Sequence, residues 1–343
     1  MGNSQKRILT SFALLCALAP VAAAQTHYAV TNLGGLAGTN SAKVTGINNS
    51  GQVVGTSANH AFLWDHGVMT DLGTLGGNVS VAHAINDFGL VVGEASTPSG
   101  EIHAFLWDHG VMKDLGTPGE TSSAHGINNQ GEIVGATSAK NFRGGAVLWK
   151  NGVRQSLGDL GPSGSGSTAI AINDKEQVVG VASGFSSNQG VVRAVSWMGG
   201  VILDIGTLGG LHSSASGLNN QGVVVGWSDI ADQSTVAFLW QAGGMRDLGS
   251  LPGSAIQPGT GSQAAAVNDS NQVVGSSLNS QGQMHAVIWE NGKIADLNSL
   301  VPRADGLALT RATAINKLGL IVAEQQTRPD GPTTAFLLTP GNH

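Results

Sequence analysis

After residue 25 the chain is built from short runs in which apolar positions recur at every second residue, each run closed by a cluster of Asn, Asp or Gly. Alternation of this kind over about four to eight positions is the pattern of a strand with one buried face. Ala82-His83-Ala84-Ile85 and Leu90-Val91-Val92-Gly93-Glu94-Ala95 are two such runs, separated by Asn86-Asp87-Phe88-Gly89, where Asn opens and Gly ends a hairpin turn. His60-Ala61-Phe62-Leu63-Trp64 and Val68-Met69-Thr70-Asp71-Leu72 are two more. The residues between them, Asp65-His66-Gly67, read as a three-residue hairpin loop with Gly free to take a left-handed conformation. No run beyond the N-terminal segment holds a helical period over a useful length, so the expected class is all-β.

The pattern repeats. The tryptophan of the His-Ala-Phe-Leu-Trp run recurs at Trp64, Trp107, Trp149, Trp197, Trp240 and Trp289, with Leu338 in the seventh place, at steps of 43, 42, 48, 43, 49 and 49 residues. A second phrase, Ile-Asn followed by a Val-Val-Gly-like run, begins at Ile47, Ile85, Ile127, Ile172, Leu218, Val267 and Ile315. Seven units of four antiparallel strands predict a seven-bladed β-propeller. A linear β-solenoid is the competing architecture, and the two ends of the chain separate them. The segment Tyr28-Ala29-Val30-Thr31-Asn32-Leu33 matches the fourth strand of a unit, and Thr334 to Pro340 matches a third strand. The N-terminal strand is therefore expected to join the C-terminal blade and close a ring, which removes an open sheet edge.

The His-Ala-Phe-Leu-Trp motifs at 60–64 and 103–107, with the Leu-Gly-Thr-Leu-Gly-Gly and Ile-Asn…Val-Gly phrases, resemble the exported bacterial repeat family named after its His-Ala-Phe tripeptide. The match spans nearly all of the chain after residue 25; it implies export and no particular reaction. The strand order is similar to that of kelch repeats, which implies that the Ala-His-Ala-Ile-Asn strand is innermost and the Leu-Gly strand outermost. In that order the Asn turns and the Asp-His-Gly turns share one face. The connections that vary in length, such as 250–263 and 298–309, share the other, where binding usually evolves.

Residues 1–24 carry Lys6 and Arg7, an apolar run from Ile8 to Ala23 and a small-residue end at Ala22-Ala23-Ala24, the order of a secretory signal, so 25–343 is expected to be a single exported propeller domain, periplasmic or extracellular. A lipoprotein reading would use Cys16, but Ala13-Leu14-Leu15 lacks the small residue needed before it. Removing the two basic residues from 16 Lys+Arg, against 22 Asp+Glu, leaves a net charge near −8. An acidic balance argues against nucleic acid, and no later run is long enough for a membrane span. The exported chain is expected to be a monomer without thiols, disulfides or cofactor.

The recurring Trp, Leu, Val and Ala positions read as core, and His60, His103, His285, His66 and His109 as structural because they follow the repeat. His83 and His125 share one inner-strand position, where the other units have Thr45, Ile170, Ser216, Ala265 and Thr313. They are weak metal candidates, since no third ligand follows at a recognisable spacing. Departures from the repeat are the better functional signal. Phe142, Phe185 and Trp227 fall just after the second strand of units three, four and five, with Arg143, Arg193, Asp229 and Asp232 beside them. Arg303, Asp305, Arg311, Arg328 and Asp330 are expected on the same face. Aromatic and charged side chains there suit a polysaccharide or a protein partner. A binding or scaffold module is the first reading. A glycan-active enzyme, lyase or hydrolase, with its site at the ring's mouth is the alternative, weakened because the sole tyrosine, Tyr28, belongs to the closing strand. A purely structural repeat is the third.

Overall fold

The computed structural model describes residues 26–139, 145–161, 166–186, 189–254, 257–302, 306–326, 328 and 331–341. Seven four-stranded antiparallel sheets stand as blades around a central channel. Blade 1 is Lys43–Ile47, Val53–Ser57, His60–Asp65 and Val68–Asp71, from the innermost strand outward. Blades 2 to 6 repeat this order with innermost strands Ser80–Ile85, Glu120–Ile127, Ser167–Ile172, Gly209–Leu218 and Ser262–Val267. Blade 7 takes Arg311–Ile315, Ile321–Gln326 and Thr333–Pro340 from the C-terminal end and Tyr28–Asn32 from the N-terminal end. Tyr28 faces Pro340 and Asn32 faces Phe336, so the ring closes in the way the two ends predict.

Each blade turns from its first to its second strand at an asparagine. In all seven turns its Oδ1 accepts the N–H groups two and four residues on; Asn86, for instance, holds Phe88 and Leu90 at 3.1 and 3.0 Å. The Nδ2 then donates to the main-chain carbonyl of the matching asparagine in the next blade. Asn48 reaches Asn86, then Asn128, Asn173, Asn219, Asn268, Asn316 and back to Asn48, in seven bonds of 3.0–3.2 Å. All seven asparagines are buried. A second circle lies beside the first, where each next residue's N–H donates to its neighbour's side-chain oxygen through Asn49, Asp87, Asn129, Asp174, Asn220 and Asp269. Lys317 donates its own N–H to Asn49 but offers no acceptor, so this circle has a gap at Asp269.

The innermost strands share a second device. The ladder between first and second strands slips in every blade at one shared position, Thr45, His83, His125, Ile170, Ser216, Ala265 and Thr313, and in blade 5 it slips again between Gly209 and Ser213. At the shared position the slip is a bulge, which leaves one residue unpaired, and all seven of these residues line the channel. In blade 2 the carbonyl of Val81 crowds Gly93, where an added Cβ would lie 1.9 Å from that oxygen. In blades 1 to 6 the glycine of the Val-Val-Gly phrase thus answers a close approach rather than a turn, and blade 7 carries Ala323 in its place.

The third and fourth strands meet in a loop of two residues, not three. Asp65 pairs with Val68, and His66 and Gly67 both take positive φ, 46° and 95°. Two left-handed residues give the tight primed turn whose twist suits a hairpin. The His-Ala-Phe histidine explains itself in the same hairpin. His60, His103 and His285 hold Asp71, Asp114 and Asp296 of the outermost strand at 2.8, 2.9 and 2.6 Å. These aspartates also cap the chain beyond, as Asp71 does for the N–H of Gly73. Blades pack through the outward layer, where Trp64, Trp107, Trp149, Trp197 and Trp289 are buried and Trp240 is half-buried.

Two expectations test this architecture. Ending the chain after Thr333 removes the buried Phe336, Leu337 and Leu338 and leaves Tyr28–Asn32 without a partner. The truncated protein is expected to lose about 5–9 kcal/mol, from about 1.5–3 kcal/mol per buried side chain, and to aggregate; unchanged thermal unfolding and solubility would count against ring closure as the source of stability. Asn86→Asp keeps the oxygen that organises the turn and loses the donor to Asn128. Denaturant unfolding is expected to show a loss of about 1–3 kcal/mol for this variant and more for Asn86→Ala, because the buried carbonyl of Asn128 is left without its bond.

Candidate functional site

The asparagine circle narrows the channel at the face of constant turns, where only about 200 Å³ of space remains. At the face of variable connections the channel opens into a cavity of about 850 Å³. Thr45, His83, His125, Ile170, Ser216, Ala265 and Thr313 form its wall, and Lys43, Thr168 and Arg311, two residues nearer the mouth on their strands, form part of its rim. A groove of about 640 Å³ runs from Glu94 of blade 2 across blade 3 to Val192 of blade 4, and it shares Thr168 with the channel.

His83 and His125 meet here, edge to face, with ring centroids 5.3 Å apart. His125 Nδ1 donates to the carbonyl of Ala169 at 3.0 Å, which leaves its Nε2 with the lone pair in the neutral ring. His83 Nε2 is buried without a hydrogen-bond partner, 3.9 Å from Glu94 Oε2, a charge contact too long for a hydrogen bond. The His83 imidazole, followed by Ser123 and His125, holds Glu94 below the usual carboxylate range against the effect of burial. Burial pushes His125 below the usual imidazole range, and the charge of His83 adds to this, while Ala169 and Glu94 oppose it. Among the described residues no group of three His, Cys, Asp or Glu side chains is arranged to hold a metal ion.

Blade 7 places an equivalent carboxylate two interfaces away, between blades 7 and 1. Glu324 stands opposite Arg311 in the ladder, as Glu94 stands opposite Val81, and its Oε1 accepts the N–H of Val44 in blade 1 at 2.9 Å. Burial raises the pKa of Glu324, opposed by Val44, Arg311 and Lys43.

The residues singled out by breaks in the repeat are placed differently from one another. Trp227 lies within the second strand of blade 5, Val224–Ile230, half-buried and in the position of Glu94 and Glu324, rather than in a loop. Phe185 is likewise within a strand, Val178–Ser186, paired with Gly190. Arg193 belongs to the third strand of blade 4, where its Nε is 4.0 Å from Asp204, taking the place of the histidine latch. Asp229 is buried and accepts the hydroxyl of Thr235 at 3.2 Å, and Asp232 caps the N–H of Ser234. Arg311 is on the channel rim and Arg328 is exposed two residues beyond the rim residue Gln326. Phe142, Arg143, Arg303, Asp305 and Asp330 lie outside the described residues. Tyr28 is buried at the opposite end of its blade, its hydroxyl pushed up to about 12 by burial and by Glu290.

Sequence reasoning missed Glu94 and Lys43, which only the ring brings to the histidines and to Arg311. The signal was present: Glu94 and Glu324 are the two carboxylates in a position otherwise held by Thr56, Ala136, Val181, Trp227 and Ser276.

Solved structures with the same fold include a streptogramin B lyase, 13% identical over 92% of this chain and 98% of that one with a TM-score of 0.57. The extracellular domain of a one-component system from B. thetaiotaomicron is 11% identical over 92% of this chain and 40% of that one, TM-score 0.51. An acylaminoacyl peptidase of Pyrococcus horikoshii is 9% identical over 87% of this chain and 52% of that one, TM-score 0.51. At these identities the likeness is one of fold. No protein-family model and no curated protein matches the chain.

Two of the shifted groups, His125 and Glu94, give acid sensitivity in separate windows. As pH falls below about 6.5, unfolded His125 takes up a proton that the folded ring resists, so stability declines until the lower folded value is passed. Glu94 stabilises the fold above its unfolded value of about 4.5, and that contribution disappears as pH falls through its depressed folded value. Unfolding curves at pH 7.5, 5.5 and 4 are expected to show both declines in the parent, loss of the first in His125→Gln, and loss of the second in Glu94→Gln.

Proposed function

We propose that this is an exported, non-catalytic binding protein of the His-Ala-Phe repeat type, kelch-like in strand order, which acts as a monomer and holds a polysaccharide or a surface protein on its face of variable connections. Residues 1–24 direct export, and 25–343 form the binding domain. The observation that carries this reading is the groove, whose lining combines hydroxyls such as Ser123, Thr137 and Ser183 with the apolar Ile102, Val181 and Val192 and leads into the channel mouth. Hydroxyl and carboxylate groups beside apolar patches suit a sugar chain, which shows water both polar edges and apolar ring faces. The groove's lining reaches Ser138, close before the segment bearing Phe142 and Arg143, and Ser183, close before Phe185. These residues and Trp227 are the proposed aromatic anchors, with Arg193, Asp229, Arg303 and Arg328 around them.

A second reading, a glycan-active enzyme with its site at the mouth, is favoured by one observation: two imidazoles meet edge to face in the channel, with the Glu94 carboxylate beside them at the start of the groove and the proton affinities of His125 and Glu94 both lowered. The two are separated by one experiment. A panel of polysaccharides and surface proteins is screened by calorimetry, and each sugar hit is followed for new reducing or unsaturated ends. Binding without product is expected. Val192→Arg, at a partly exposed groove position, is expected to weaken binding at least tenfold with unchanged melting, and alanine at Phe142 or Phe185 to cost about 1–3 kcal/mol each. Product formation lost in His125→Ala would establish the enzyme instead, and full-strength binding by Val192→Arg would move the site off the groove.

A further inference from the structure

The channel mouth reverses the charge balance of the chain. Among the described residues that line it, Lys43 and Arg311 are the fixed cations and Glu324 is the carboxylate, in a protein that carries 22 acidic against 16 basic residues. Lys43 and Arg311 begin the innermost strands of adjacent blades, 1 and 7, and both are exposed. No carboxylate among the described residues lies within ion-pair distance of either. Glu324 does not neutralise them by contact, since it is turned between the blades onto the N–H of Val44.

Behind the two cations lie polar atoms the fold leaves unpaired. Thr56 stands opposite Lys43 in the ladder with a buried hydroxyl that has no partner, and His83, which lines the channel on blade 2, has its Nε2 buried without a hydrogen bond, on the side of Glu94. A guanidinium and an ammonium thus stand side by side on blades 7 and 1, with the His83 ring next along the wall on blade 2. Arginine offers a planar fork that matches a carboxylate, and lysine adds a point charge. A cavity with apolar strands for walls focuses that field at its opening. The volume, about 850 Å³, lies within the range of about 300–1,000 Å³ typical of pockets that enclose small organic ligands.

We propose that Arg311 and Lys43 seat a carboxylate of an acidic polysaccharide, a uronate unit, at the channel mouth, with neighbouring sugars laid along the groove over blades 2 to 4; this rests on the reading that the ligand is a polysaccharide held on that face. A sugar chain is favoured over an acidic peptide because the path from mouth to groove is lined by hydroxyls, among them Thr168, which both share, and Ser123, Thr137 and Ser183. The asparagine circle narrows the far end, so the charged unit enters from the groove side.

The test uses the full exported chain and oligomers of galacturonate, glucuronate and mannuronate, the same oligomers as neutral methyl esters, and polyglutamate, all measured by calorimetry. At least one uronate oligomer is expected to bind, with affinity falling as salt is raised, and at least tenfold more weakly as the methyl ester. Arg311→Gln and Lys43→Gln are each expected to weaken the acidic oligomer at least fivefold and to leave the ester unchanged, with melting temperature as the folding control. Esters and acids bound equally by parent and variants would overturn the uronate assignment while leaving the polysaccharide reading intact. Binding of no oligosaccharide in this panel, or of polyglutamate in their place, would overturn the assignment, and neutral glycans failing in the wider screen would overturn the parent reading as well.

Discussion

The architecture depends on one side chain used twice. A propeller blade is a small sheet that cannot bury both faces alone, so each must be fixed to the next in angle as well as in contact. The asparagine at every inner turn does this with a single amide: its oxygen organises its own turn, and its nitrogen enters the next blade. Burial makes both halves matter, because a main-chain carbonyl left unbonded there costs more than the bond itself contributes. Aspartate could serve the turn but not the neighbour. Around the second circle Asn and Asp alternate from residue 49 to 269, and an odd number of blades cannot complete an alternation. Lys317 occupies the odd place, a cation beside Asp269 where a fourth carboxylate would have met a third.

The same construction divides the channel into a closed end and an open one. Bulges on the innermost strands turn one residue per blade into the channel, and in blades 1 to 6 the second-strand glycine leaves room for the carbonyl two residues before the bulge. These features recur because the backbone needs them, and they leave the bulged side chain unspecified. Hence that position holds Thr, His, His, Ile, Ser, Ala and Thr around the ring. Variation concentrates where backbone geometry makes no demand, and this is why the histidine pair could arise at the bulged position of two adjacent blades.

The period, the four strands per unit, their order and the shared seventh blade were all legible, because each follows from local alternation and from counting. Contacts between blades were not. Asn48 bonds a residue 38 positions away, and Asn316 one 268 positions away, and no local pattern marks a side chain as a donor across such distances. The histidine of His-Ala-Phe read as structural without its reason; the aspartate it holds is 11 residues on, across a hairpin whose loop length was overcounted by one. Phe185 and Trp227 read as loop residues because the second strands of blades 4 and 5 run on past the Val-Val-Gly phrase. Their length is set by what the third strand offers to pair with, which alternation in one strand does not record.

Arg193 and Arg311 show why breaks in a repeat need a structure to interpret them. Both replace an unrelated residue, and both looked alike in the chain. Arg193 stands where a histidine stands in blades 1, 2 and 6 and faces the matching aspartate, so the blade keeps its latch with a different side chain. Arg311 has no such inherited partner: its ladder neighbour Glu324 is drawn away by the backbone of blade 1. A substitution that preserves an interaction speaks of stability. One that leaves a charge unpaired at the open end of a channel speaks of something outside the chain, and on that ground Arg311 and Lys43 weigh more than the other departures from the repeat.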